Sequence, residues 1–220
     1  MTIQIIEVYE GRAVGIVEIL EQNKIPYDLI KPFQGDPLQN EGKNGIIISG
    51  GNPSLREIEK HPYLNDVIAY VEKQVEEDAP ILGICLGHQI LATAIGGKIR
   101  KSKKPEVGFS PVYHDVNELT VGVPSPFLVF QYHFDEVFSL PPNVEVFSYN
   151  DSCSIQGFRL RGKNIYGVQY HPEISATFGD GILRGSVDLL KAKNVNPIYS
   201  RDQSNLSGNR IVENFVKGCL

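Results

Sequence analysis

Short apolar runs alternate with amphipathic stretches through the first 97 residues, and this alternation restricts the fold more than any other feature. The apolar runs, which predict strands, are residues 3–8, 25–32, 45–51 and 79–84. The amphipathic stretches, which predict helices, are residues 12–24, 61–78 and 88–97. Runs 45–51 and 79–84 are apolar on both faces, which is typical of strands in the middle of a parallel sheet covered by helices. The first half of the chain therefore predicts successive βα units.

The pattern changes at about residue 98. Short segments rich in Val, Phe and Tyr follow one another, separated by Pro, Gly and Asn, and they predict strands without intervening helices, some of them antiparallel. Helical periodicity returns at 181–193 and 209–220. Because there is no repeat and no linker-like change in composition, we expect one domain over residues 1–220. The predicted class is α/β, with a mostly parallel central sheet, helices on both faces, and a few antiparallel strands in the second half.

Composition excludes several functional classes. The chain has 41% apolar residues and a net charge of −5, so it has no electrostatic footprint for nucleic acid. It lacks an apolar run near the roughly 18 residues of a membrane span, and its N-terminus does not resemble a signal peptide. These observations predict a cytoplasmic protein with no membrane or nucleic-acid partner. The basic cluster at 98–106 is expected to be a solvated loop, with a partner-binding patch as the alternative.

The three cysteines, Cys85, Cys153 and Cys219, are odd in number and far apart. This spacing argues against a disulfide framework and against a zinc site of the Cys-x-x-Cys type. The histidines also lack the spacing of metal ligands. We therefore expect no metal and no cofactor.

Cys85 lies in the segment GICLGHQ, at the junction of a predicted strand and a predicted helix. A cysteine nucleophile reacts as the thiolate, and the positive end of a helix dipole favours that form. The spacing Gly83-x-Cys85-x-Gly87 matches the G-x-S-x-G elbow, in which a strained turn exposes the nucleophile. The elbow alone does not separate a nucleophile from a buried small hydrophobic residue, because free cysteines are commonly buried.

A base is available in YGVQYHPE, residues 166–173. His171 follows a predicted strand, where it can meet the end of strand 79–84 if the two strands are parallel. Glu173 can reach back to orient the imidazole. The segment SGGNPS, residues 49–54, ends another strand in two glycines whose amides can approach a substrate carbonyl closely.

In chain order, SGGNPS, GICLGHQ and GVQYHPE resemble the oxyanion, nucleophile and histidine/glutamate motifs of the class I, or triad, glutamine amidotransferases. Residues 105–112 and 129–153 also resemble stretches of the glutaminase part of GMP synthase and of its stand-alone relatives. The resemblance implies a flavodoxin-like fold. It implies that Cys85 is the nucleophile, His171 the acid/base and Glu173 its orienter. By the same resemblance, Gly51 and Leu86 supply the oxyanion hole, and the α-amino and α-carboxylate end of the substrate is held by Gln89 and by the backbone around Tyr132, His133 and Phe134.

The chain departs from the family pattern at three places. Asn52 follows the two glycines where proline is usual, Phe134 stands where the family has glycine, and residues 174–208 are a possible family-atypical insertion. We expect this segment to be surface decoration, with a lid or an interface as the alternatives. Two enzymatic functions follow from the resemblance. The first is hydrolysis of glutamine, with ammonia passed to a separate ATP-dependent synthetase subunit. The alternative is a stand-alone hydrolase of another γ-glutamyl compound. A binding module without turnover is a third possibility, against which the intact triad argues.

Overall fold

The strands of this computed structural model form a single sheet. The structure describes residues 2–39, 42–200 and 207–219. Its strands are β1 (Ile3–Ile6), β2 (Tyr27–Ile30), β3 (Gly45–Ile48), β4 (Ile81–Ile84), β5 (Lys98–His114), β6 (Phe127–Ser139), β7 (Val144–Tyr149), β8 (Gly157–Leu160) and β9 (Ile165–Val168). They are ordered β2-β1-β3-β4-β9-β8-β7-β5-β6. The pairs from β2 to β9 are parallel, and those from β9 to β6 are antiparallel.

Four helices cover the two faces of the parallel part of the sheet: α1 (Val14–Gln22), α2 (Tyr63–Glu76), α3 (Leu86–Ala94) and α6 (Asn209–Gly218). Helices α4 (Ala176–Gly185) and α5 (Val187–Ala192) pack against β5 and β6 instead. Successive strand residues point to opposite faces, so Ile5 packs with α1 and α6 while its neighbour Ile6 packs with α2 and α3. The predicted α/β class, with its parallel sheet between two helical layers, is confirmed. No described helix is both long and apolar enough to cross a membrane.

The pairing of β4 with β9 places the ends of two distant chain segments side by side. Ile84 at the end of β4 pairs with Val168 at the end of β9 in a parallel register. The residues that follow these two strands therefore leave the sheet at the same edge, as expected for the carboxyl ends of parallel strands. Cys85 and His171 both lie just beyond this edge.

Two local predictions are wrong. The basic cluster at 98–106 is not a loop, because it belongs to β5 and pairs with β6, with a register shift between Lys101 and Glu106. Arg100 forms an ion pair with the nearly buried Glu136, at 2.7 Å, which holds this polar strand against its neighbour. The second error is the single helix at 181–193, since helical structure begins earlier, at Ala176, and is interrupted at Ser186 between α4 and α5.

Candidate active site

Cys85 occupies a strained turn between β4 and α3. Its φ angle is +53°, a left-handed value that is uncommon for a residue other than glycine and that tends to be retained at functional sites. Its amide donates to the Val168 carbonyl at 2.8 Å, and its carbonyl accepts from the Gln89 amide at 3.1 Å, so the turn is fixed from both sides. The thiol is nearly buried, and it lies at the N-terminus of α3, where the helix dipole favours a negative charge.

The glycines that flank Cys85 are required by close backbone contacts. A Cβ atom at Gly83 would lie 2.4 Å from the Gly87 carbonyl oxygen, and one at Gly87 would lie 2.3 Å from the Ile48 carbonyl oxygen. The Gly87 amide also donates to the Ser49 carbonyl at 3.1 Å. These two glycines therefore let α3 begin directly against β3 and β4, which is what holds Cys85 on its turn.

His171 is fixed beside Cys85 by its backbone and by its ring. Its amide donates to the Phe130 carbonyl at 2.9 Å, and its Nδ1 atom lies 2.7 Å from Oε1 of Glu173, to which it donates. A Cβ atom at Gly50 would lie 2.7 Å from Cε1 of His171 and 3.4 Å from the Cβ atom of Cys85. The structure thus brings Cys85 and His171 together over a glycine, with Glu173 behind the imidazole.

Glu173 is buried because α1 approaches it closely. A Cβ atom at Gly15, in the first turn of α1, would lie 2.4 Å from the Glu173 carbonyl oxygen and 3.1 Å from its Cγ atom. Gly15 is not among the residues predicted from sequence to shape the site. An isolated glycine inside a helical pattern was the available signal, since such a residue commonly has a packing reason.

The electrostatic surroundings of His171 favour its protonated form. Burial by itself lowers the pKa of the imidazole, but the negative charges of Glu173 and Cys85, with hydrogen bonds to both side chains, outweigh burial and raise the pKa of His171 to about 10. The arrangement therefore pairs a cationic imidazole with a sulfur atom that can carry negative charge.

Two residues with free backbone amides, Gly51 and Leu86, line the site from different segments. The Leu86 amide is the first of α3, and the Gly51 amide follows β3. A Cβ atom at Gly51 would lie 2.8 Å from Cδ2 of Leu86, so the two residues are neighbours. Neither amide donates to another residue in the part of the chain that the structure describes. Two free amides beside a thiol can bind the negative oxygen of an attacked carbonyl.

The residues expected to hold the substrate's α-amino and α-carboxylate end also line this site. The side-chain Nε2 atom of Gln89 donates to the Asp135 carbonyl and to Oε1 of Gln169. The side-chain Oε1 atom of Gln89 is therefore the one available to a ligand. The Tyr132 carbonyl oxygen lies 4.0 Å from Sγ of Cys85. His133 instead turns inward, with Nδ1 3.1 Å from the Asp135 carbonyl and Nε2 3.3 Å from the Glu106 carboxylate. Its side chain therefore contacts β5 and β6 and is not directed to the ligand.

The loop after β3 is attached to β6 by side-chain contacts. Arg56 forms an ion pair with Asp135 at 2.8 Å, and the Ser54 hydroxyl also donates to this carboxylate. These contacts couple the segment that carries Gly51 to the strand that carries Tyr132. The two sides of the site are thereby held at a fixed separation.

Cys85, His171, Glu173, Gly51, Leu86 and Gln89 line a cavity of about 940 Å³. Part of its wall is formed by Phe134 and by residues of the segment 174–208, whose members 201–206 lie outside the described residues. The contributing residues of this segment are Ile174, Phe178, Ile182, Ser186, Leu189, Lys193 and Val195. The expectation that this segment is surface decoration is therefore wrong. Its apolar residues alternate with polar ones in a way that does not reveal from sequence which of them face a cavity. Within the described residues, no group of three His, Cys, Asp or Glu side chains is placed to hold a metal ion.

The charge on Glu173 provides a first test of the site. Glu173→Gln is expected to lower the pKa of His171 from about 10, because the amide carries no charge. The raised pKa in the folded protein contributes stability that is fully present below the ordinary value of 6.5 and is lost as the pH rises to about 10. The loss of unfolding free energy caused by Glu173→Gln should therefore be largest near pH 6 and shrink toward pH 10, as measured by urea unfolding.

Glu118→Gln is the matched control, because Glu118 is an exposed carboxylate whose partner is Arg159 at 2.9 Å. Its effect on the free energy of unfolding is expected to be small and constant over the same pH range, since arginine keeps its charge throughout. An equally constant effect of Glu173→Gln would show that the His171–Glu173 pair does not titrate as described.

Proteins of known family resemble this chain in sequence. A family model described as glutamine amidotransferase class-I matches residues 5–187, a range that includes Cys85, His171 and Glu173. A subunit of the glutamine-hydrolyzing GMP synthase of Pyrococcus abyssi is 34% identical over 180 residues, covering 81% of this chain and 88% of the relative. The corresponding protein of Methanococcus maripaludis strain C5 is 39% identical over 142 residues, covering 64% of this chain and 70% of the relative.

Solved structures show the same fold over nearly the whole chain. A glutamine amidotransferase from Thermotoga maritima superposes with a TM-score of 0.86 at 25% identity, covering 99% of this chain and 98% of that protein. A glutamine amidotransferase from Methylobacillus flagellatus gives a TM-score of 0.80 at 22% identity, covering 99% of this chain and 94% of that protein. With the family model matching most of the sequence, this chain belongs to the class I glutamine amidotransferases, a family of glutamine-hydrolysing enzymes.

Proposed function

We propose that the protein hydrolyses the side-chain amide of glutamine at Cys85 and delivers the ammonia to a separate ATP-dependent synthetase subunit, as the glutaminase component of a GMP synthase. The observation that carries the proposal is Cys85 itself, held at a left-handed φ of +53° at a helix N-terminus and adjoining the hydrogen-bonded pair His171–Glu173. The relative from Pyrococcus abyssi is named as one subunit of a GMP synthase, which supports the existence of a second. The proposed location is the cytoplasm, where thiols stay reduced.

The proposed chemistry begins with attack by the Cys85 thiolate on the amide carbon of glutamine. The carbonyl oxygen becomes negative and is bound by the Gly51 and Leu86 amides. His171 gives its proton to the amide nitrogen, the C–N bond breaks, and ammonia leaves a glutamyl thioester on Cys85.

Water completes the cycle. Neutral His171 takes a proton from a water molecule that attacks the thioester, the C–S bond breaks, and glutamate leaves with the thiolate restored. Glu173 keeps the imidazole oriented through its 2.7 Å contact with Nδ1 in both halves of the reaction. The net reaction converts glutamine and water to glutamate and ammonia.

The test is an assay of the purified protein for glutamate and ammonia released from glutamine, both by itself and with an ATP-dependent GMP synthetase. We expect hydrolysis that depends on Cys85, and ATP-dependent GMP formation with glutamine as the nitrogen source when both proteins are present. Cys153→Ala is the control, because Cys153 is a buried thiol whose pKa is raised to about 12 by burial. Absence of glutamine hydrolysis under both conditions would overturn the proposal.

A second function is favoured by the size of the cavity. A cavity of about 940 Å³ is near the upper end for small-molecule sites, whereas glutamine has only ten non-hydrogen atoms. Apolar side chains also line it, with Phe178 and Leu189 about half exposed. Both features suit a stand-alone hydrolase of γ-glutamyl peptides. Strong cleavage of γ-glutamyl dipeptides with negligible hydrolysis of glutamine would select this function over the first.

A further inference from the structure

Glutamine carries a negative α-carboxylate into the site, and a buried or half-buried carboxylate requires a cation or several donors. Besides the imidazole of His171, which is paired with Glu173, the lysine and arginine side chains that line the cavity are those of Arg12, Arg56, Lys101, Lys103 and Lys193. Arg56 is paired with Asp135, and Arg12 donates to Oδ1 of Asn52 at 2.9 Å. The three lysines form no ion pair with another residue that the structure describes.

Lys193 differs from the other two lysines in having a fixed position on the cavity wall. Its Nζ atom lies 4.4 Å from the centroid of the Phe134 ring, a cation–π contact that holds the ammonium group without satisfying its hydrogen-bond donors. All three lysines are exposed, but Lys101 and Lys103, on the irregular part of β5, make no such contact with a ring that the structure describes. Lys193 is therefore a localised cation with free donors.

The distances suit a carboxylate that belongs to the substrate. The Tyr132 carbonyl oxygen is 4.0 Å from Sγ of Cys85, and Phe134 is two residues further along β6, or about 7 Å. In extended glutamine, the reacting carbon and the α-carboxylate carbon are separated by four bonds, or roughly 5 Å. A substrate whose amide lies at Cys85 and which extends along β6 would place its α-carboxylate near Phe134 and the ammonium group above it.

The segment that carries Lys193 is anchored at both sides of the residue. Leu190 is buried, and its carbonyl accepts from the Val195 amide at 2.9 Å. Ile198 then pairs with β5 through hydrogen bonds of 3.0 Å to Val107 and 2.8 Å from Phe109. Gly108 permits this approach, because a Cβ atom there would lie 2.1 Å from the Ile198 carbonyl oxygen. The position of Lys193 is thus set by backbone contacts and does not depend on its own side chain.

We propose that Lys193, held on the ring of Phe134, binds the α-carboxylate of the γ-glutamyl substrate and so determines specificity for a free carboxylate. The inference rests on the proposed function only in placing a γ-glutamyl group at Cys85. Two departures from the family pattern meet in the contact between Lys193 and Phe134. Phe134 stands where the family has glycine, and Lys193 belongs to the segment 174–208. The ring of Phe134 holds the ammonium group of Lys193 in place, which a glycine at position 134 could not do.

The test compares glutamine with glutamine α-amide, in which the carboxylate is replaced by a neutral carboxamide. Binding of each is measured by calorimetry to the Cys85→Ala protein, so that the result does not depend on turnover. Lys193→Met is expected to weaken glutamine binding about tenfold or more and to leave glutamine α-amide binding unchanged. Lys193→Arg should restore most of the affinity for glutamine, because it retains the charge and donors.

Lys191→Met is the matched control, since Lys191 lies in the last turn of α5, is exposed and does not line the cavity. It should change neither affinity. The proposal is overturned if Lys193→Met weakens both ligands equally, if Lys101→Met or Lys103→Met produces the selective loss instead, or if glutamine does not bind to the Cys85→Ala protein. Selective binding without glutamine hydrolysis by wild-type protein would leave this inference standing and overturn the proposed function.

Discussion

Cys85→Ala is expected to reduce glutamine hydrolysis by at least about 10⁴-fold. Losses of this size occur when a catalytic nucleophile is removed, because nucleophile and base act together and neither is effective without the other. No other described thiol can substitute in the same position, because the left-handed turn and the approach of His171 are specific to residue 85. The change removes one sulfur atom and leaves the backbone hydrogen bonds of the turn in place. The free energy of unfolding should therefore change by no more than about 1 kcal/mol.

Three measurements separate loss of chemistry from loss of structure. Ammonia release gives the activity, circular dichroism and urea unfolding give the fold, and labelling with a glutamine-like electrophile identifies the reactive thiol by mass. Cys219→Ala should match wild type in activity and in labelling, because burial raises the pKa of that thiol to about 12 and keeps it protonated. Retention of activity by Cys85→Ala, or labelling of the Cys85→Ala protein at an unchanged rate, would refute the assignment of the nucleophile.

Gly87→Ala is expected to have the largest effect on stability, a loss of roughly 3 kcal/mol or more in the free energy of unfolding. The new Cβ atom would lie 2.3 Å from the Ile48 carbonyl oxygen and 2.9 Å from two further atoms of Ile48. These are atoms of a central strand, which cannot move without disturbing the pairs that β3 makes with β1 and β4. Helix α3 must shift instead, and Cys85 at its N-terminus shifts with it, so activity should fall as well.

Gly181→Ala is the control, because it makes the same substitution in a helix at a position with free space around it. No atom lies within 4 Å of a Cβ atom at Gly181, and the residue is in α4. Alanine has the higher helix propensity, so this variant should be more stable than wild type by about 0.5–1 kcal/mol. Urea unfolding of both variants measures the contrast. A Gly87→Ala protein as stable as Gly181→Ala would contradict the close packing described for the elbow.

Much of the fold was predictable because the parallel strands are buried on both faces. The residues of β1, β3, β4 and β9 are all buried, and a segment with no solvent-facing side has no reason to alternate polar residues. Helices α1 and α2 have one buried face and therefore keep a period near 3.6. Both signals are local, so each segment can be interpreted separately.

The wrong predictions concern segments in which a distant contact overrides local composition. Residues 98–106 are rich in lysine, yet they form part of β5, because β6 supplies backbone partners and Glu136 neutralises Arg100. The break between α4 and α5 at Ser186 was not predictable either, because the sequence has no proline there to signal the end of a helix. The segment 174–208 could not be assigned to the site from its sequence, since its position depends on the pairing of Ile198 with β5.

The reactive groups of this protein can be recognised in its sequence: a cysteine between two glycines at a strand end, a histidine and a glutamate after another strand, and a pair of glycines after a third. Local spacing is sufficient for these motifs, because each lies within one turn. What surrounds the thiol is a property of the tertiary structure. Gly15 and Gly50 make room for Glu173 and His171, and Lys193 contacts the ring of Phe134 at the cavity wall. These contacts join residues that are distant in the chain, and close packing between distant segments leaves no periodic signal in either of them.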